Sequence, residues 1–395
     1  MKFLLALLAF CLLNVWFFGL AGTSKCRLSL NYLNSLSYAA QQEAPWVWWA
    51  LRAYFNRETR PDVVLFGSSQ MATAMIAGDL PLVRHDIDAV TYKDAHVLEN
   101  SLASSLGGQP QVFNFAMGGE MVSDAVLIER ATFLARLTPS LVIIGVNPRD
   151  FMDNTCPIPA STPTFHFLKP FVDLQQLSWS SYFPLDGWLE ALPLKHWAAT
   201  LTAGFSSTGP EPLQAPALST VTRSADAVRP GFWVSHYGQP ESFFDNTGEY
   251  KSRYRTTNPQ LYEQEQKFFE AFLADMRARA IPVLVVGMPS LPVNRSLLPD
   301  QFWRQFRLNV SASCRRYGAS WIDLTDSPLF VFADYHDTVH LNAGGASKLC
   351  QIVAQQIAAA PELAHALRPR LNQACVLQDK SIESSASSGK NKASQ

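Results

Sequence analysis

The sequence predicts an α/β protein: a three-layer α/β/α doubly wound fold around a mainly parallel five-stranded sheet. Three features carry that expectation. Five short apolar runs, at 63–66, 111–117, 141–146, 283–287 and 321–324, have the length of strands buried on both faces. Segments with apolar residues at helical spacing lie between them. Strand and helix alternate, and right-handed crossovers then set helices on both faces of one sheet.

In chain order, residues 3–22 carry no charge, and Asn14 is their only strongly polar side chain. A secretory signal needs an apolar region of about 7–15 residues and a membrane span about 20. Segment 1–25 is therefore expected to be an uncleaved signal-anchor, with the rest of the chain extracytoplasmic, periplasmic or at the cell surface. Cleavage at the small-x-small triplet Gly19-Leu20-Ala21 is the alternative, and it would make the protein secreted. A buried core helix is the third reading. Lys2 precedes the run and Lys25 and Arg27 follow it, so charge does not fix its orientation.

Residues 26–60 form a linker whose aromatic part, from Pro45 to Phe55, is expected to be a helix packed on the domain. An interfacial helix at a membrane surface is the alternative. The first part of the core, 61–150, opens with the strand Val63–Phe66 and the turn Gly67-Ser68-Ser69. A helix is expected from Met71 to Ile76, then a loop-rich region from Gly78 to Gly108. The strand Gln111–Met117 ends at Gly118-Gly119. A helix with Val126, Leu127, Phe133, Leu134 and Leu137 on one stripe follows and stops at Pro139. The strand Leu141–Val146 leads into Asn147.

From 151 to 258 the alternation breaks. This stretch is rich in proline and aromatics, and its Gly204–Asp226 part reads as a loop. A folded insertion at this place is expected to cap a site. The second part of the core, 259–375, starts at Asn258-Pro259, an N-cap and first-turn pair. Its first helix buries Leu261, Phe268, Phe269, Phe272 and Met276. The strand Val283–Gly287 comes next, then a helix from Gln301 to Tyr317 closed by Gly318. The short strand Trp321–Leu324 precedes a final helix, Gly344–Ala358, with Leu349, Val353 and Ile357 inward. The tail 376–395 is rich in serine and lysine and is expected to be disordered.

Composition removes some functions. The formal net charge is −1 and no basic run is present, so a nucleic-acid partner is not expected. Six cysteines include no C-x-x-C pair, which argues against structural zinc. Their scatter defines no disulfide pattern.

The chemistry-bearing residues gather at expected strand ends, where open α/β sheets bind ligands. Ser69 follows the first strand, Gly119 the second and Asn147 the third. Asp334-Tyr335-His336-Asp337-Thr338-Val339-His340 comes near the end of the folded region. Acyl transfer at serine needs a base for the hydroxyl proton, a carboxylate to orient that base, and donors for the oxyanion. Ser69 fits the nucleophile, His340 the base and Asp337 its carboxylate. The Ser69 and Gly119 amides and the Asn147 side chain fit the oxyanion hole. An ordinary strand-to-helix turn is the bland reading of Gly67-Ser68-Ser69 alone. His336 and His340 with Asp334 and Asp337 also pose a metal cluster, but paired histidines four apart ligate well chiefly on a helix, and here a loop is expected.

The pattern resembles the SGNH/GDSL hydrolase family. Four blocks match it in order: Gly67-Ser68-Ser69, Asn114-Phe115-Ala116-Met117-Gly118-Gly119, Gly145-Val146-Asn147 and Asp337-Thr338-Val339-His340. The resemblance covers about Asp62–Asn147 and Gln260–Ala358. It implies a flavodoxin-like sheet, Ser69 as nucleophile, Gly119 and Asn147 as oxyanion donors, and Asp337 and His340 completing the triad. Ser68 stands where the family usually has Asp, and Pro148 follows Asn147 where Asp is common. The apolar leader and large insertion are also similar to membrane-anchored SGNH proteins that O-acylate envelope polysaccharides.

These readings lead to an extracytoplasmic serine esterase or O-acyltransferase acting on acyl, chiefly acetyl, esters of a carbohydrate or cell-envelope polymer. No cofactor or metal is expected. Arg149, Tyr250 and Arg253, with Asp150 and Tyr254, are expected to line a sugar cleft under the insertion; solvated or structurally paired side chains are the alternative. The membrane, through the leader, and a membrane acyltransferase are the expected partners. An idle SGNH-like scaffold binding glycan or that acyltransferase is the second reading, and a secreted lipase or thioesterase the third.

Overall fold

The computed structural model of the 395-residue chain describes residues 28–37, 41, 44–133, 138–169, 171–172, 234–239 and 242–367. The central sheet has five strands, all parallel: β1 (Val63–Phe66), β2 (Val112–Asn114), β3 (Leu141–Val146), β4 (Val283–Gly287) and β5 (Ser320–Asp323). Their spatial order is β2-β1-β3-β4-β5. That order is consistent with a flavodoxin-like fold, with its switch point between β1 and β3. Val63 pairs with Val112 on one side and Leu141 on the other, so β1, β2 and β3 start level and end at one rim.

Alternating side chains build two cores. Val64, Phe66, Phe113, Val142, Ile144 and Val285 face one apolar layer, while Val63, Leu65, Val112, Ile143, Leu284 and Val286 face the other. The first layer is covered by α1 (Leu30–Ser35), α2 (Pro45–Phe55), α5 (Val122–Thr132), α8 (Pro259–Ala278) and α9 (Asp300–Tyr317). The second is covered by α3 (Ser69–Val83), α4 (His96–Leu106) and α10 (Ala343–Ala359). The short helices α6 (Pro163–Leu168) and α7 (Thr247–Arg253) belong to the insertion. The two-residue strands Ile87–Asp88 and Val234–Ser235 pair antiparallel apart from the main sheet.

Several expectations are adjusted. The helix after β1 starts at Ser69, not Met71, and runs on to Val83; α4 occupies much of the region expected to be loop-rich. Close packing explains this: a Cβ at Gly78 would lie 2.7 Å from a Val97 methyl, so the glycine marks a helix crossing, not a break. Pro81 is tolerated in the last turn of α3. The helix Pro45–Phe55 packs on the domain, with Val47, Trp48, Leu51 and Tyr54 buried, and the Trp48 indole N–H donates to Leu33 O at 3.1 Å. The strand ladder of β2 ends at Asn114, although Phe115 N–H and Met117 N–H still donate to Leu65 O and Gly67 O.

Among the described residues, no helix is long and apolar enough to cross a membrane. The leader 3–22, the tail 376–395, Leu134 and Leu137, and residues 173–233 of the insertion lie outside the described residues.

Candidate active site

The site begins at the turn out of β1. Gly67 has φ +138°, and a Cβ there would sit 2.8 Å from the Gly145 carbonyl of β3, so only glycine fits the bend. Ser68 is the N-cap and Ser69 the first residue of α3. The first amides of a helix have no partner within it, so Ser69 N–H faces the rim at the positive end of the helix dipole. Gln70, buried behind Ser69, locks the turn: its Nε2 reaches Pro289 O at 3.2 Å, Ser290 Oγ at 3.3 Å and Val339 O at 3.1 Å.

Val339 belongs to the loop between β5 and α10 that brings the other two groups. His340 Nε2 lies 2.8 Å from Ser69 Oγ, and His340 Nδ1 lies 2.6 Å from Asp337 Oδ2. The second carboxylate oxygen of Asp337 accepts the backbone N–H groups of Val339 and His340 at 2.8 and 2.7 Å. The Asp-x-x-His spacing thus closes a tight turn that holds the imidazole against its own carboxylate. Burial opposes the Asp337 charge, but the His340 bond and charge and the two amides outweigh it and hold the Asp337 pKa below its ordinary value. Neighbouring elements fix the loop: Leu291 N–H donates to Thr338 O at 3.0 Å, and Thr338 N–H donates to Asn246 Oδ1 at 3.1 Å. The imidazole of His340 keeps 16% exposure, enough to meet a ligand.

The other expected donors are placed differently from one another. Gly119 sits exposed in the turn after β2 at φ +80°, with open space where a Cβ would be. Asn147, after β3, is 2% exposed, and its side chain is already oriented. Its Nδ2 donates to Ser290 Oγ at 3.2 Å and Met288 O at 3.4 Å, and its Oδ1 accepts from Tyr254 OH at 3.4 Å. These contacts lie at or beyond the upper end of the usual hydrogen-bond range.

The cleft expected around Arg149, Tyr250 and Arg253 differs in the structure. Arg149 and Tyr250 are 4% and 5% exposed. The Arg149 guanidinium binds Asp150 Oδ1 at 2.9 Å and Asp153 Oδ2 at 3.3 Å, and also donates to the Glu120 carbonyl. Arg253 binds Asp153 at 2.6 Å and Glu249 at 2.7 Å. Asp150 returns a bond to Asn147 N–H at 2.8 Å. The set is a buried brace under the Asn147 turn, its charged groups paired with one another. Ser68, where the resemblance would put Asp, hydrogen-bonds Asp150; a carboxylate there would face a second one.

Sequence reasoning passed over Gln70, Ser290, Glu120 and Lys93. The last two are buried under the Gly118-Gly119 turn, and among the described residues no group meets the Glu120 carboxyl or the Lys93 ammonium at full hydrogen-bonding geometry. Lys93 Nζ lies 5.5 Å from the Trp46 ring centroid, and Trp46 packs against Gly118. Burial, then the charges of Asp124 and Asp150, push the Glu120 pKa well above its usual value; burial pulls Lys93 down to about 8. The signal available in sequence was only a charged residue flanking each of two apolar motifs.

His336 contributes backbone: its N–H donates to His340 O at 2.8 Å, and its carbonyl accepts Phe244 N–H at 2.9 Å. Among the described residues, no group of three His, Cys, Asp or Glu side chains is placed to hold a metal ion. Comparison with protein-family models and with curated proteins gave no match.

Proposed function

We propose that this chain is an SGNH-type serine esterase or O-acyltransferase, tethered to a membrane by residues 3–22. Its substrates are acyl, chiefly acetyl, esters of a carbohydrate or envelope polymer. The observation that carries the reading is the unbroken hydrogen-bonded series Ser69 Oγ, His340 Nε2, His340 Nδ1, Asp337 Oδ2, with links of 2.8 and 2.6 Å at the sheet rim.

The reaction follows from those contacts. His340 Nε2 takes the Ser69 proton as Oγ attacks the ester carbonyl, and Asp337 holds the tautomer that leaves Nε2 free to accept it. Negative charge gathers on the carbonyl oxygen, where the Ser69 and Gly119 amides and Asn147 Nδ2 supply donors. The His340 proton passes to the departing alkoxide, leaving an acyl ester on Ser69. A second hydroxyl, from water or a sugar, gives its proton to His340 and takes the acyl group, and His340 returns that proton to the departing Ser69 Oγ. Which hydroxyl arrives decides hydrolysis against transfer.

A fluorophosphonate probe tests the reading: wild type is labelled on Ser69, and Ser69→Ala is not. A folded wild type that resists several such probes would favour the idle scaffold.

A further inference from the structure

Five apolar side chains stand exposed beside the triad: Phe243, Phe244, Leu329, Val331 and Phe332, each between 38% and 63% accessible. The rim holds them there. Phe244 N–H donates to His336 O at 2.9 Å, Phe244 forms a bridge with Asp337 itself, and Asn246 bonds Thr338. The Phe243 and Phe332 ring centroids are 4.6 Å apart. Val331 N–H donates to Asp334 Oδ2 at 2.8 Å, and Lys348 Nζ ties Asp334 to the Leu329 carbonyl with bonds of 2.6 and 2.9 Å. Exposed apolar side chains gathered on two rim segments and anchored this firmly beside the triad mark a contact surface.

We infer that this patch rests on the lipid bilayer and turns the mouth of the Ser69 site toward the membrane surface. The inference rests on the reading of residues 3–22 as an anchor. Residues 23–27 separate that run from Leu28, which is buried in the core, and five extended residues span at most about 18 Å. An anchored chain therefore has no stalk, and its folded body lies against the bilayer. The chain comes in on the rim side: Tyr32 of α1 packs at 4.9 Å on Phe171, just past α6. Thr162, the N-cap of α6, bonds Asp124 in the first turn of α5, the helix that follows Gly119. The patch chemistry suits lipid: its three phenylalanines, with Leu329 and Val331, offer no hydrogen-bonding group and match the apolar face that beds into the headgroup–acyl boundary. The site would then draw on membrane-proximal or lipid-linked acyl esters.

The test uses the full chain reconstituted in vesicles of phosphatidylcholine and phosphatidylglycerol. The photo-crosslinker p-benzoyl-phenylalanine replaces Phe244, Phe332 or, as control, Leu308, an equally exposed apolar residue on α9. Adducts to lipid several-fold richer at the first two positions than at Leu308 support the inference. A chain that floats with vesicles but gives no such excess, or that crosslinks there to glycan or protein, overturns it and leaves the anchor standing. A chain that does not float removes the anchor and the inference together. Fluorophosphonate labelling of Ser69 in the same samples reads the catalytic proposal separately.

Discussion

One rim holds two sets of ionisable groups that could hardly be treated more differently. His340 keeps access to solvent, Asp337 is buried behind it but held by short, directed bonds, and Ser69 stands within reach. Directly inward, Glu120, Asp124, Arg149, Asp150, Asp153 and Glu265 are buried, and two carboxyls there are held far from their usual titration ranges. Groups that are to move a proton need a partner on one side and an open face on the other. Groups that only shape a loop can be sealed, at the cost of desolvation that Arg149, joined by Arg253 at the edge, must offset among several anions. In the proposed reaction the first set moves the proton and the second gives the loop its shape.

The sharpest way to break that assignment is at Asp337. Asp337→Asn keeps the volume but loses the charge that stabilises imidazolium and the tautomer that frees Nε2, so kcat falls by about 10^3–10^4. Thermal stability, followed by circular dichroism, changes far less. A variant that melts early and keeps its turnover would put Asp337 among the shaping groups.

Arg149→Met makes the opposite expectation. It leaves Asp150 without a cation in a dry interior and Asp153 with Arg253 alone, a loss of roughly 3–5 kcal/mol read by urea unfolding. What activity survives in the folded fraction keeps its pH profile, because no proton of the reaction passes through Arg149. Loss of KM alone, with stability intact, would return Arg149 to the substrate cleft.

A finer separation comes from Glu265, whose carboxyl accepts Ser123 N–H and Oγ–H at 2.7 and 2.8 Å and is pushed by burial up to about 8. An acid whose folded pKa is raised contributes stability that is complete below its unfolded value of 4.5 and is lost as pH rises toward 8. Glu265→Gln keeps the Ser123 N–H bond on its carbonyl oxygen, reverses the second contact so that its Nε2 donates to Ser123 Oγ, and removes that titration. Its melting temperature therefore declines less than wild type between those two pH values, a difference on the order of 1 kcal/mol for each pH unit. Parallel curves for the two proteins would mean that Glu265 is not held neutral.

Much of this was legible in the chain. The unbroken apolar runs Val63–Phe66 and Leu141–Val146, buried on both faces, and the helical stripe of Leu261–Met276 are local properties, and both survive folding unchanged. The Asp337–His340 spacing was equally readable, since both ends lie in one turn. Misread features depend on distant partners. The region from Gly78 onward looked loop-rich because Val97, against which Gly78 packs, is remote in sequence. Arg149 looked available because Asp153, Arg253 and Glu120 converge on it only in three dimensions. Gln70 gave no signal, since its acceptors lie more than two hundred residues away.

The most direct measurement is the mass of the Ser69-containing peptide after brief exposure to p-nitrophenyl acetate and acid quench. Covalent chemistry at this rim predicts an acetyl group on Ser69 in wild type, formed far more slowly in His340→Ala. Acetyl found only on lysines, or an unmodified Ser69 in a protein that still turns the ester over, would contradict it.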